Sequence, residues 1–468
     1  MSDELIDIEY YLMLLVWLLG PIVVFALHSR RGRLAGILLY SYIFAFFIAH
    51  WPGALVHASP WSGFLDSTDT VAGFQLSTCG LLALLAGAII VPTPPRPRPI
   101  AMPQVAGDAT GRFELQYQSA RILLLIGISS WILPYTAVSK LPSADAIIGA
   151  GKQCSLLAVC LFCWLAWQRG RRMEFRLWLA LSCALPVITV VSAGFIGYGI
   201  AMLGTILMFV AMFYRPRWII VVGLVLGIYG GMSFWVAYAV NRAEIRSAVW
   251  GGEDLGARTN AISKVFDVIQ PFDFSNQDHL NVVDIRLNQN ALVGAATRTT
   301  PDYVPYVYGK TLYEAAIAVI PRALWPDKPV VAGSGDYVSQ HTGIIFAEST
   351  SVGMGQVFEF YINFGVTGVV IGFMLLGIML RRLDIGFVRG IESGDYRQVQ
   401  FCFLVGAGAL QALGSLVEVA ASMAGGAVLS IGISRYLDWY IARDARRRTR
   451  DLRRHATQAH GGGWGVSG

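Results

Sequence analysis

Charge is scarce in this chain. Asp, Glu, Lys and Arg make up 14% of its 468 residues, against about 25% in soluble domains. That shortage excludes an ordinary water-soluble enzyme. Cysteine is scarce too: the six residues at 79, 154, 160, 163, 183 and 402 all fall in apolar runs. None lies in the one long polar stretch, so no disulfide framework and no Cys-based zinc site is expected. Cys160 and Cys163 form a C-x-x-C inside an apolar run and read as small packing residues. There is no P-loop or Gly-rich nucleotide loop, and the polar stretch has no H-E-x-x-H or D-x-D. We therefore expect no cofactor and no protein-held metal site.

What is present is hydrophobic: 55% of residues, with a mean hydropathy of +0.55. Apolar runs of about 20 residues recur, the pattern of an all-α polytopic membrane protein. Eleven spanning runs are expected, at about 10–28, 34–51, 70–91, 119–138, 144–167, 174–193, 196–214, 217–240, 353–380, 398–415 and 420–440. The first is expected to stay as an anchor, because the acidic start Met1-Ser2-Asp3-Glu4 lacks a basic leader. The domains follow: helices 1–8 over 1–240, a large loop at 241–352, helices 9–11 over 353–440, and a basic, disordered tail at 441–468.

Positive charge tracks topology. Alternate short loops and the tail hold 25 of the 36 Lys and Arg residues. By the positive-inside rule the N-terminus is then outside, the tail cytoplasmic and 241–352 extracytoplasmic. This accounts for the net charge of +6 without nucleic acid. The 92–103 linker, rich in Pro and Arg, reads as an extended connector.

The 241–352 loop carries nine Lys and Arg against twelve Asp and Glu. A net-negative loop is no general anion trap, so a phosphate site there needs particular arginines to converge. Arg242 and Arg246, four residues apart, share a helix face and serve either an anion or the membrane edge. Arg286, Arg298 and Arg322 lie deeper in the loop. Lys152, about two turns into the fifth helix, would cost roughly 2.5–3.5 kcal/mol if it faced lipid. It faces a polar cavity or snorkels outward. Gln356, Glu359 and Asn363 fall on one face of the ninth helix. An intramembrane carboxylate such as Glu359 marks a site by default, although a structural hydrogen-bond network is the competing reading. Glu418 has similar, weaker standing. Glu348 and His341 are further candidates for acid–base work, and His279 is the other loop histidine. Thr311 and Glu314 suggest a capping box that opens a short helix, Leu312–Ile320, stopped by Pro321. Too short to span, this element near 311–321 is expected to be re-entrant or interfacial.

The segment Pro321-Arg322-x-x-Trp325-Pro326-x-Lys328-Pro329, followed by Glu359-Phe-Tyr-x-Asn363-Phe-Gly365, resembles the bacterial oligosaccharide repeat-unit polymerases, the Wzy-type O-antigen and exopolysaccharide polymerases. The layout is similar too: many helices, one large outer loop late in the chain, then a few closing helices. By motif the likeness covers 286–365. It implies a GT-C-like membrane glycosyltransferase on the outer face of the bacterial inner membrane. Such an enzyme joins repeat units carried on undecaprenyl pyrophosphate. Arginines spaced as R-x10-G recur in that family, and Arg298…Gly309 and Arg322…Gly333 have this spacing. One family feature is missing. The short turn Ser192-Ala193-Gly194-Phe195 has no arginine, so Lys152 or Arg242 would have to take its place.

The resemblance implies a set of roles. Arg242, Arg246, Arg286, Arg298, Arg322, Lys328 and Lys152 would bind pyrophosphate or glycan, with Asn363. Glu359, Glu348 or His341 would orient or deprotonate the acceptor hydroxyl. Tyr303, Tyr306 and Tyr308 stack on sugars or anchor the interface. With no large cytoplasmic domain, the energy must arrive with an activated, lipid-linked substrate. The expected partners are that substrate, membrane lipid, and the flippase and chain-length regulator of the same pathway. Two alternatives stand: an O-antigen ligase using a lipid A-core acceptor, and a polysaccharide transporter or non-catalytic membrane subunit.

Overall fold

The computed structural model describes residues 3–29, 36–59, 68–92, 108–135, 144–214, 218–320, 325, 327–329, 333–346 and 352–461. Among them every regular element is helical. α1 (Asp3–Ser29), α2 (Leu38–His57), α3 (Thr68–Ile90) and α4 (Asp108–Ile132) lead to α5 (Ala144–Gln168). The pair α6 (Arg172–Ser182) and α7 (Leu185–Ala193) follows, then α8 (Ile196–Ala211) and α9 (Trp218–Trp250). Five short helices occupy the polar stretch: α10 (Leu255–Asp267), α11 (Gln277–Leu287), α12 (Gln289–Thr299), α13 (Lys310–Ala318) and α14 (Ser334–Thr342). α15 (Gln356–Ser393), α16 (Tyr396–Gly408) and α17 (Leu416–Gly461) complete the order.

Among the described residues, seven segments are long and apolar enough to cross a membrane: Ile8–His28, Leu38–His57, Thr68–Ile90, Ile147–Gln168, Arg172–Ala193, Gln356–Ser393 and Leu416–Tyr440. The chain is a helical membrane protein. Several expected runs take other forms. α8 is apolar but has 16 residues, and α16 has 13. The run at 174–193 is two helices, α6 and α7, meeting at Cys183 and Ala184. Pro186 stands in the first turn of α7, where its missing N–H costs nothing. α17 continues to Gly461, where disorder was expected beyond 441. The reason is local: Arg and Ala dominate 442–460 with no Gly or Pro to interrupt them.

The polar stretch enters the bundle at the junction of α11 and α12. A Cβ on Gly73 of α3 would collide with the Asn290 backbone, and one on Gly294 with the Asp69 backbone. The two helices touch through bare glycine, which permits the closest approach. Asn290, fully buried, donates through Nδ2 to the His50 carbonyl at 2.8 Å and accepts from Ser77 Oγ at 2.9 Å. Ser77 lies nine residues into α3, roughly 13 Å at 1.5 Å per residue. A helix of the polar loop therefore runs well down the flank of a span. This inward helix, α12, was not expected from the sequence.

A second inward turn was hidden inside the ninth apolar run. α15 breaks at Phe364 (φ −145°, ψ 23°) and Gly365 (φ 61°, ψ −151°). The Phe360 ring then packs 5.7 Å from the Phe373 ring, and a Cβ on Gly372 would stand 2.6 Å from it. Residues 360 and 372 would be roughly 18 Å apart on a straight helix. Segment 356–363 therefore lies antiparallel beside 366–393, as the short arm of a hairpin. Gln356 at its inner end accepts from the Tyr42 hydroxyl at 2.5 Å. Gly365 is the residue that permits the turn, since positive φ with ψ near −150° is closed to a side chain.

At the opposite end of the bundle, buried Asp384 of α15 accepts from the N–H groups of Ile37, Leu38 and Leu39 at 2.8, 2.8 and 3.0 Å. It caps α2 from 347 positions away. That answers the orphan donors every helix start presents.

Candidate functional site

At the loop end, the short arm 356–363 presents Glu359 to a cavity of about 180 Å³. Its wall comes from α13 and α14 (Thr311, Glu314, Tyr337), from Gly333, Ser334 and Met354, and from the start of α17 (Ser415, Val417, Glu418). α13 begins at Lys310 after Gly309, whose φ of 86° turns the chain. The capping box expected from Thr311 and Glu314 does not form, because both residues lie inside the helix. They are buried on its cavity face. Glu314 accepts from the Tyr337 hydroxyl at 3.0 Å on both oxygens. Burial and that carboxylate raise the Tyr337 pKa, so its hydroxyl remains a protonated donor.

Glu359 is fully buried. Its Oε2 accepts from the Leu416 N–H at 2.6 Å, at the N-terminus of α17, where a helix favours negative charge. The carboxylate also accepts from the hydroxyl of Thr311, whose oxygen is taken by Asn363. Glu418 accepts from the Ser415 N–H at 3.0 Å and sits exposed at the cavity mouth. Among the described residues, no group of three or more His, Cys, Asp or Glu is arranged to hold a metal ion.

Three arginines gather nearby. Arg242 and Arg246 lie on the last turns of α9, and Arg286 ends α11. Arg242 bonds the Tyr238 hydroxyl, which itself donates to the Gly194 carbonyl at 2.8 Å. Burial, then the charges of Arg246 and Arg286, push the Arg242 pKa down to about 10. Burial and Arg286 also lower that of Arg246. The Arg246 guanidinium lies 4.2 Å from the Phe195 ring centroid and 4.9 Å from that of Trp250, good cation–π geometry. Its Nε and Nη2 are buried without an acceptor. No carboxylate among the described residues forms an ion pair with any of the three. Tyr198 lies within electrostatic reach of both Arg246 and Glu418, which links this cationic cluster to the cavity mouth.

Arg246 also answers the missing turn arginine. A Cβ on Gly194 would stand 3.3 Å from its Cγ, so α9 delivers a guanidinium to the short turn at 192–195. Lys152 is instead 4.8 Å from the Trp131 ring centroid.

The remaining candidates are dispersed. Arg298 pairs with Asp69 at 2.9 Å, tying α12 to the start of α3. Lys328 donates to the Ile320 carbonyl at 3.0 Å and closes the end of α13. The Asn363 amide is committed to structure. It donates to Thr311 Oγ1 and the Glu359 carbonyl, and accepts from the Gly309 N–H at 2.8 Å. His341 is fully buried, with Nδ1 2.9 Å from Thr300 Oγ1, and is not part of the cavity wall. Burial lowers its pKa, and its Nε2 is buried with no hydrogen-bond partner. His279 accepts from the Asp273 N–H at 3.1 Å. Arg322 and Glu348 lie outside the described residues. Tyr303 and Tyr308 are exposed, at 83% and 74%. The roles of Glu314 and Tyr337 escaped sequence reading. The available signal was a lone carboxylate in the mostly apolar run 312–318.

One family pattern covers more than half the chain, matching residues 102–385. The chain belongs to the family described as a domain of unknown function, DUF8712. No curated protein and no solved structure matches it. The DUF8712 match includes the three arginines, Glu314, Tyr337 and Glu359, and stops within α15. Glu418 and the closing helices α16 and α17 fall beyond it.

Proposed function

We propose that this DUF8712 protein is a membrane glycosyltransferase that joins polyprenyl-pyrophosphate-linked oligosaccharide repeat units into a polysaccharide. The observation that carries the reading is the cluster of Arg242, Arg246 and Arg286, which has no acidic partner among the described residues beside a carboxylate-lined cavity. Like charges repel, so such a cluster is best stabilised by a multiply charged anion such as pyrophosphate. The resemblance at 321–329 and 359–365 supports the same substrate class. Eleven crossings, with the loop end outside the bacterial inner membrane, complete the proposal. α4, α8, α9 and α16 would supply the four beyond the seven clear segments.

The geometry suggests a division of labour. The pyrophosphate oxygens accept from the three guanidinium groups, fixed donors that stabilise the charge of the departing phosphate. An acceptor hydroxyl in the cavity donates to the Glu359 carboxylate. As the hydroxyl oxygen bonds the anomeric carbon, the carbon–oxygen bond to phosphate breaks. The proton passes to Glu359, and the lipid pyrophosphate leaves with its electron pair.

The test is the surface-glycan profile of a strain lacking the gene. Glycan collapsed to single repeat units is the predicted result. Loss of all glycan from the lipid core, with long lipid-linked chains accumulating, would mean a ligase. An unchanged profile would refute both.

A further inference from the structure

A second cavity, of about 360 Å³, lies at the far end of the bundle from the polar loop, where α3 stops against α15. Closer to the loop the two helices touch through bare glycine: a Cβ on Gly377 would stand 2.1 Å from the Leu84 carbonyl oxygen. α3 then ends at Ile90 while α15 continues to Ser393. A groove opens there, with Ile90, Val91 and Pro92 on one side and Ile378 and Ile385 on the other. Two guanidinium groups, those of Arg382 and Arg389, complete it, and no carboxylate lines it. Residues 378, 382, 385 and 389 follow the spacing of one helix face.

Both arginines are exposed. Neither has a hydrogen bond or an ion pair among the described residues. The carboxylate between them in sequence, Asp384, is buried and engaged by the N–H groups of α2. Toward the middle of the membrane-spanning segments the groove continues as an apolar surface. Ile371 and Leu375 of α15 are exposed there, with Leu82 and Ile89 of α3. An occupant that matches this site is apolar at one end and anionic at the other. Phosphate suits the charged end, because a guanidinium binds its oxygens in bidentate fashion. The seven residues from Arg382 to Arg389 rise roughly 10 Å, a distance two arginine side chains can close around one headgroup.

We propose that this groove binds an anionic phospholipid from the leaflet around it, with the phosphate between Arg382 and Arg389 and an acyl chain along Ile378, Leu375 and Ile371. A basic pocket between membrane helices is a recurrent site for such headgroups. The site stands apart from the arginine cluster at the loop end and does not depend on the reading of the protein as a glycosyltransferase. The lipid ties the end of α3 to α15, the helix that carries Glu359.

The test is native mass spectrometry of the purified full chain in detergent, titrated with phosphatidylglycerol and with phosphatidylcholine of the same acyl chains. An arginine near an anionic headgroup contributes about fivefold in affinity, so phosphatidylglycerol should bind roughly thirtyfold more tightly. The double variant Arg382→Gln/Arg389→Gln should bind both lipids at the phosphatidylcholine level. It should melt at the wild-type temperature, since both side chains are exposed. Each single variant should lose about fivefold, which keeps the test decisive even if the double variant folds poorly. Arg446→Gln, Arg447→Gln and Arg448→Gln together, in the basic tail, should leave the preference in place. Equal affinity of the wild type for the two lipids would overturn the proposal. So would a preference that survives in the double variant, or one that the tail variant loses. Displacement of phosphatidylglycerol by equimolar inorganic phosphate would overturn it too, marking a bare anion site.

Discussion

Glu359 can be tested for two roles at once, because its two oxygens do different things. Oε2 caps α17 through the Leu416 N–H at 2.6 Å, and the other oxygen is left to the Thr311 hydroxyl and to substrate. Glu359→Ala removes the cap and the side-chain volume together. A hydrogen bond to a charged group contributes about 1.5–3 kcal/mol, and truncation in a packed site adds to that. The expected loss is roughly 2–4 kcal/mol. Glu359→Gln keeps an acceptor oxygen for the Leu416 N–H and removes the proton-accepting carboxylate. It should fold with nearly wild-type stability, yet polymerise about 10²–10⁴-fold more slowly, the usual contribution of a general base. Thermal unfolding in nanodiscs, alongside glycan length in a complemented strain, separates the two variants. The predicted order of stability is wild type and Gln together, Ala clearly lower. In activity, Gln and Ala should both fail. Full-length glycan from the Gln variant at normal protein levels would refute the catalytic role and leave Glu359 as a helix cap.

Other perturbations address the remaining parts. Arg242 has a folded-state pKa near 10, below its unfolded value. The unfolded chain therefore binds more protons above about pH 10, and stability rises with pH there. At pH 8 its positive charge is a net cost, so Arg242→Gln should raise the melting temperature of the ligand-free protein. The same variant should abolish the further rise that added inorganic pyrophosphate gives the wild type. A variant that melts lower and still responds to pyrophosphate would contradict the anion site. Gly365→Ala places a Cβ 2.8 Å from the Tyr306 hydroxyl at a φ of 61°. It should destabilise by about 1–3 kcal/mol, read as a lower melting temperature. Asp384→Ala uncovers three buried N–H groups at the start of α2. It should cost at least about 3 kcal/mol and reduce the amount of protein recovered from membranes.

The length and recurrence of the apolar runs made the helical membrane architecture legible, and the shared face of Gln356, Glu359 and Asn363 followed from helix geometry alone. All three are buried, at 1%, 0% and 0% exposure. The break at Phe364 and Gly365 was not legible, because a Phe-Gly pair inside an apolar run looks like any other stretch of a glycine-rich span. Only the packing of Phe360 against Gly368 and Gly372 reveals the hairpin. The pairing of Arg242 with Arg246 was readable as a four-residue spacing. Their meeting with Arg286 and with the turn at Gly194 depends on how α7, α9 and α11 pack, about which local sequence is silent. Asp384 shows the same limit. Its sequence context marks the end of an apolar run, and its partners lie 345–347 residues away.

Reconstitution tests the central claim most directly. The purified chain in liposomes, given only polyprenyl-pyrophosphate-linked repeat units, should build a ladder of longer lipid-linked glycans and release polyprenyl pyrophosphate in step with each added unit. Arg246→Gln should lose both products together. Repeat units that remain single, in liposomes where the protein is folded and correctly oriented, would contradict the account.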